Sequence, residues 1–180
     1  MRSLDVVQTQ RLLLERLCRA HREDLGRLHR DPRVMATLGG VRPEEETLRV
    51  LMECEQHWEQ HGFGLWLARD KASSQFAGRG GLKHTHVGGR DEVEVAYAFL
   101  PQYWGQGLAT ELALASLHVG FDVLRLPDLV CFTLTTNRAS QRVMEKAGFR
   151  YECDVIHAGL PHVLHRLTAS EWRTAALAGG

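Results

Sequence analysis

Apolar and polar positions alternate most regularly between Glu92 and Phe99 (EVEVAYAF), where Val93, Val95, Tyr97 and Phe99 interleave with Glu92, Glu94, Ala96 and Ala98. A period of two marks a strand with two unlike faces. Pro101 ends the ladder because it has no N–H to donate. Gln102-Tyr103-Trp104-Gly105-Gln106-Gly107 follows as a turn, and Leu108, Leu112, Ala115 and Val119 then fall on one helical stripe. Strand, glycine loop and helix in direct succession gather unpaired backbone N–H groups at a helix N-terminus. Such a concavity suits a phosphate.

The same pattern partitions the rest of the chain. Thr9 to Arg16 reads as a first strand and Ala20 to His29 as a helix, with a short second helix around Met35 after Asp31-Pro32. Gly39-Gly40 breaks that segment. Pro43 and the acids Glu44, Glu45 and Glu46 open a helix that ends at His61-Gly62, since proline suits the first turn and carboxylates suit the positive end of the dipole. Leu48, Leu51, Met52 and Trp58 are its expected apolar face. Strands are then expected at Leu65–Arg69 and at Phe76–Val87. In the latter, Gly78, Gly80 and Gly81 point to a bulge or a close backbone approach. Gly88-Gly89 is a hairpin turn. Leu129–Thr135 is a strand and Ala139–Ala147 a helix closed by Gly148. Phe149–His157 and Val163–Leu167 are strands, and Thr168 with Glu171 forms a capping box before a last helix bearing Trp172. No repeat, linker or low-complexity stretch divides the chain, so residues 1–180 are expected to form one domain.

Composition narrows the class. An apolar content of 44% over 180 residues supports a real core. Lys plus Arg and Asp plus Glu are 22 each, so no basic nucleic-acid surface is expected. The four cysteines are scattered without a CxxC pair, and Cys131 is expected to be a buried free thiol. There is no signal-peptide run and no segment able to span a bilayer, which points to a cytoplasmic protein.

Three phosphate-loop patterns compete at Gln102–Thr110. A Walker loop requires Lys after the second glycine, where this chain has Leu108. A dinucleotide fingerprint wants a third small residue where Thr110 stands, and an acid after the next strand where the chain reads Thr135-Thr136-Asn137. A glycine turn with no ligand is the plain alternative. The pattern Gln/Arg-x-x-Gly-x-Gly/Ala fits every fixed position with Gln102, Gly105 and Gly107. On these residues the chain resembles the GNAT superfamily of acetyl-CoA-dependent N-acetyltransferases, and within it the ribosomal-protein alanine N-acetyltransferase branch. Asn137-Arg138-Ala139-Ser140, followed by Glu145-Lys146-Ala147-Gly148-Phe149, is similar to that branch's second signature. Gln8 to Glu15 is similar to its opening stretch. The order of elements also matches. The resemblance implies an α/β (α+β) GNAT-like fold: a mixed, mostly antiparallel central sheet with a splayed parallel strand pair and helices on both faces.

The resemblance further implies roles. Backbone groups around Phe99 and Leu100 would bind the pantetheine amide and the acetyl oxygen. Gln102 belongs to the cofactor motif, and Gly105 and Gly107 would let the backbone close on the pyrophosphate. Gln106, Leu108, Ala109 and Thr110 would offer N–H groups. Asn137 and Ser140 read as helix caps on residue physics. The resemblance adds a pantetheine contact for both, and for Ser140 a proton or hydrogen bond to the leaving thiolate. Arg138, Arg142 and Lys146 read as a solvated helix face rather than a phosphate clamp. Glu94 is the candidate general base, with a structural ion pair as its plain alternative and His84, His86 and Glu92 in reserve. No metal is expected: His84 and His86 share a strand side without a third ligand at regular spacing, and His57 and His61 do not form HExxH.

The function so implied is acetyl transfer from acetyl-CoA to a primary amine, either a protein N-terminus or a small molecule. Attack would be direct in a ternary complex, because no cysteine sits in a nucleophile context. The rival reading is an inactive acyl-CoA-binding regulatory or structural protein of the same fold. Expected partners are acetyl-CoA and an amine acceptor, with no nucleic acid or membrane, in a monomer or homodimer. Acceptor choice is expected to lie in Val34–His61 and His157–His162.

Overall fold

The computed structural model describes residues 4–178, so both ends of the expected 1–180 domain lie outside the described residues. Its first strand is split into β1 (Val6–Gln8) and β2 (Leu12–Arg16), paired antiparallel with Val6 opposite Glu15. The expected strand from Thr9 therefore begins only at Leu12. Thr9 turns the chain: its amide donates to the Leu12 carbonyl at 3.0 Å and its hydroxyl accepts from the Leu12 amide at 2.9 Å. That side chain competes with the ladder for backbone partners.

Three helices follow, α1 (Arg22–Arg30), α2 (Pro32–Met35) and α3 (Glu44–His61). Asp31 caps α2 by accepting from the Arg33 amide, and Gly62 closes α3 in the left-handed region at φ 72°. The buried stripe of α3 is Thr47, Leu51 and Trp58, with Cys54 partly buried beside it. Met52, an expected member of that stripe, is instead 52% exposed. One step past Leu51 turns the side chain by about 100°, off the stripe.

The remaining elements are β3 (Leu65–Asp70), β4 (Phe76–Val87), β5 (Arg90–Phe99), α4 (Leu108–His118), β6 (Asp128–Leu134), α5 (Arg138–Ala147), β7 (Arg150–His157), β8 (Leu160–Thr168) and α6 (Ala169–Ala178). A π-helical turn, Val119–Val123, extends α4. The capping box at Thr168 and Glu171 forms, the Thr168 amide donating to Glu171 Oε2 at 2.9 Å. The strands make an eight-stranded sheet of order β1-β2-β3-β4-β5-β6-β8-β7. β5 and β6 run parallel, with Glu94 opposite Val130; β6 and β8 run antiparallel. This is the expected α/β architecture with a mixed, mostly antiparallel sheet. Among the described residues no helix is long and apolar enough to cross a membrane.

The chain gathers into two compact units. The first takes the chain up to Lys83 together with Ala96–Leu112; the second takes His84–Val95 and the chain from Ala113 onward. In the first, Leu25 and Leu28 of α1, Leu51 of α3 and Leu67 of β3 pack with Ala96, Ala98 and Leu100. Each fully buried leucine contributes about 2 kcal/mol relative to an exposed one. Here the glycines of β4 permit a close backbone approach: a Cβ on Gly78 would stand 2.3 Å from the Ala98 carbonyl oxygen.

In the second unit, Val87, Val130 and Leu164 form a small core with Phe132, Cys153 and Val155 against it. Arg166 of β8 ties the strands together. It donates to Glu92 at 2.7 Å and to Glu152 at 2.5 Å, and also to Asp128. The hydrogen bond to Glu92 leads the effects that raise the Arg166 pKa above its ordinary value. All four cysteines are free and Cys131 is buried, as its strand position implied.

Candidate functional site

β5 ends at Phe99, and Pro101–Tyr103 folds into one tight turn, the Tyr103 amide donating to the Leu100 carbonyl at 3.0 Å. Gly105 and Gly107 follow at φ 73° and 79°, the left-handed region that L side chains adopt at a cost. A Cβ on Gly105 would meet nothing within 4 Å, so conformation rather than crowding requires glycine there, and the space beside the loop is open. The Gln106 side chain folds back, its amide nitrogen donating to the Gln102 carbonyl at 2.8 Å. The motif residue Gln102 thus acts in the loop through its backbone oxygen.

Helix α4 starts at Leu108, and its first intrahelical bond runs from the Glu111 amide to the Gly107 carbonyl at 3.0 Å. The amides of Gln106, Gly107, Leu108, Ala109 and Thr110 have no protein acceptor among the described residues. These are the orphan donors of a helix start. They supply what the glycine pattern implied, a cluster of N–H groups beside an open loop.

The backbone at Phe99 and Leu100 is less open than expected. The Phe99 carbonyl accepts from Trp104 Nε1 at 2.8 Å, and the Leu100 amide donates to Ala77 at 2.8 Å. The turn after Pro101 carries the indole back over the strand end. A ligand amide reaching the Phe99 carbonyl would share that oxygen with Trp104 or displace it.

In the second unit, Asn137 caps α5 by accepting from the Ser140 amide at 3.2 Å, and it donates Nδ2–H to Thr133 Oγ1 at 3.1 Å. This is the cap that residue physics favours. Ser140 is half-buried, and Gln141 secures the end of β6 by donating to the Thr135 carbonyl at 2.9 Å. Arg138, Arg142 and Lys146 are exposed, as a solvated helix face would be.

Glu94, on β5, is buried at 8% exposure. Glu92, one of the reserves, is bound by Arg166 through both carboxylate oxygens and by Arg90. His84 and His86 are exposed on β4, and His86 Nδ1 lies 2.8 Å from Asp91. The His57 and His61 rings lie with centroids 4.6 Å apart and planes tilted by 47°. His57 Nδ1 lies 2.9 Å from the Phe63 carbonyl; that oxygen only accepts, so the proton is on Nδ1. His157 and His162 flank Phe132, their ring centroids 4.8 and 5.8 Å from it.

Pattern reasoning missed Arg11, Thr9 and Glu111. Thr9 and Arg11 stand in the irregular connection before β2, where no periodicity marks them, and Glu111 reads as an ordinary polar position of α4. Arg11 Nε donates to Glu111 Oε2 and Arg11 Nη1 to the Gln106 carbonyl, both at 2.7 Å. Glu111 also accepts from the Thr9 hydroxyl at 2.5 Å and the Arg11 amide at 2.7 Å. Burial acts to raise the Glu111 carboxyl, but the hydrogen bonds from Thr9 and Arg11 outweigh it and leave the pKa below its ordinary value.

Known proteins resemble this chain in sequence and in fold. The sequence model of the acetyltransferase (GNAT) domain matches residues 11–150. YkkB, an uncharacterized protein of Bacillus subtilis (strain 168), is 31% identical over 126 residues, 70% of this chain and 73% of its own. FsC-acetyl coenzyme A-N(2)-transacetylase of Aspergillus fumigatus is 30% identical over 185 aligned positions, 92% of this chain and 77% of its own. In structure, the GNAT-family acetyltransferase of Bacillus anthracis is similar at TM-score 0.77 and 22% identity, over 92% of this chain and 99% of that one. With the family's match running from Arg11 through the glycine loop to Arg150, this chain belongs to the GNAT acetyltransferases.

Proposed function

We propose that this protein transfers the acetyl group of acetyl-CoA to a primary amine by direct attack, in one domain that includes both compact units. The observation that carries this reading is the run of amides from Gln106 to Thr110 that meet no protein acceptor among the described residues, beside the open glycine loop. Uncharged donors at a helix N-terminus favour a pyrophosphate without needing a lysine. Family membership supports acetyl-CoA as the donor, and the name of the Aspergillus relative joins that donor to a nitrogen acceptor.

The chemistry sets out what remains to be supplied. The amine nitrogen attacks the thioester carbon, the tetrahedral oxyanion collapses and the C–S bond breaks. One proton leaves the amine and one reaches the sulfur, so the products are an amide and free CoA. Buried Glu94 takes the amine proton in this reading, through water. Ser140 offers its hydroxyl to the departing sulfur, and Asn137 adds a pantetheine contact to its capping role. The acceptor is a protein N-terminal α-amine or a small-molecule amine, selected by Val34–His61 and His157–His162.

The test is a thiol-release assay with acetyl-CoA over peptides, polyamines and aminoglycosides, beside calorimetry of CoA with wild type and Gly107→Val. Release with at least one acceptor and weaker CoA binding by the folded variant are expected. Unchanged affinity would overturn the loop assignment. Binding without release on any amine would favour an acyl-CoA-binding protein that does not turn over.

A further inference from the structure

We infer that Arg11, an arginine from outside the glycine motif, is a positioning residue of the phosphate loop, and that it selects for donors bearing a pyrophosphate. The inference rests on the acetyl-CoA reading above and on geometry within one compact unit. Arg11 Nη1 holds the Gln106 carbonyl at 2.7 Å, and that oxygen belongs to the peptide joining Gln106 to Gly107. In a trans peptide the C=O and the following N–H point in opposite directions. Drawing the Gln106 oxygen toward Arg11 therefore turns the Gly107 amide away from it. Among the described residues that amide meets no protein acceptor.

The second contribution is electrostatic. Glu111 sits in the first turn of α4, with its side chain 14% exposed, where a carboxylate competes with a bound phosphate for the positive end of the helix. Arg11 Nε meets Glu111 Oε2 at 2.7 Å and Thr9 occupies Oε1 at 2.5 Å, so the carboxylate's charge is answered from β2's side of the loop. Arg11 Nη2 has no acceptor of its own among the described residues, and it would lie 3.6 Å from a Cβ at Gly107, which places residual positive charge beside the loop. A lysine could supply the charge but not hold Glu111 and the Gln106 carbonyl together.

The experiment compares two thioester donors, acetyl-CoA and S-acetyl-N-acetylcysteamine, which lacks pyrophosphate and nucleotide, with Arg11→Ala and Arg11→Lys. The expected result is a rise of about tenfold in KM for acetyl-CoA with Arg11→Ala, the worth of one or two charged hydrogen bonds. Its kcat should stay within about twofold, and kcat/KM for the truncated donor should be unchanged. Arg11→Lys should show a smaller loss with the same donor selectivity, which keeps the test available if the alanine variant fails to fold. Equal losses with both donors, or no change in CoA affinity, would overturn the inference. If Gly107→Val weakens CoA binding while both Arg11 variants bind normally, the loop reading survives and Arg11 is removed from it. If Gly107→Val also binds normally, both fall together.

Discussion

Trp104 donates its indole N–H to the carbonyl of Phe99 at 2.8 Å, closing the strand end that leads into the glycine loop. Trp104 is half exposed, so the contact has water on one side. A pantetheine amide that takes the Phe99 carbonyl shares it with this indole or displaces it, and either changes the indole's surroundings. Titration with CoA is therefore expected to change tryptophan emission, and Trp104→Phe should remove most of that change. An identical fluorescence response in the variant would leave Trp104 in place in the complex.

Ser140 is half-buried at the start of α5, its amide already held by the Asn137 cap. The cap bond to Asn137 is made by the Ser140 backbone amide, which an alanine keeps. Ser140→Ala is expected to lower kcat by about tenfold or more with a smaller change in CoA affinity, within the usual range for proton transfer to a leaving group. A loss in binding alone would make Ser140 a pantetheine contact.

Glu94 is buried, and Glu92 beside it is committed to Arg166. Glu94→Gln keeps the shape and removes the base. In the pH profile of kcat/KM, the acidic limb should disappear and the plateau fall. A profile that keeps its acidic limb would exclude Glu94 from proton transfer.

His29 is buried and is expected to make stability depend on pH. Burial, followed by the nearby charges of Arg42 and Arg79, lowers its pKa from 6.5 to about 4, and its Nδ1 lies 2.9 Å from Thr47 Oγ1. Between those two pH values the unfolded chain binds a proton that the folded chain does not, so stability falls as the pH drops through that window. The loss reaches about 3 kcal/mol at its lower end and is absent above about pH 7. Denaturant unfolding across that window should show this slope in wild type and a flatter one in His29→Gln. Equal slopes would assign the acid sensitivity elsewhere.

Much of this protein is written in local sequence. The alternation from Glu92 to Phe99 specifies a strand wherever it folds, because side chains of a pleated chain point to opposite sides in turn. Gly62 and Gly148 end their helices in the left-handed region, and Thr168 with Glu171 starts one; each depends on residues within a turn of itself. The glycine loop was legible for the same reason: φ values of 73° and 79° are open to glycine at little cost. Only the tertiary structure could decide the rest. Thr9 splits the first strand, and Arg11 reaches a loop far along the chain, because Glu111 and the Gln106 carbonyl come within hydrogen-bond distance only after folding. The Phe99 carbonyl is taken by Trp104 because the turn after Pro101 brings the indole back. Glu92 and Glu94 look alike in an alternating strand. Arg166, on a strand that joins the sheet much later, makes Glu92 an ion-pair partner, while Glu94 is buried. Periodicity reports which face a side chain takes, and the partner waiting on that face is set by long-range strand order.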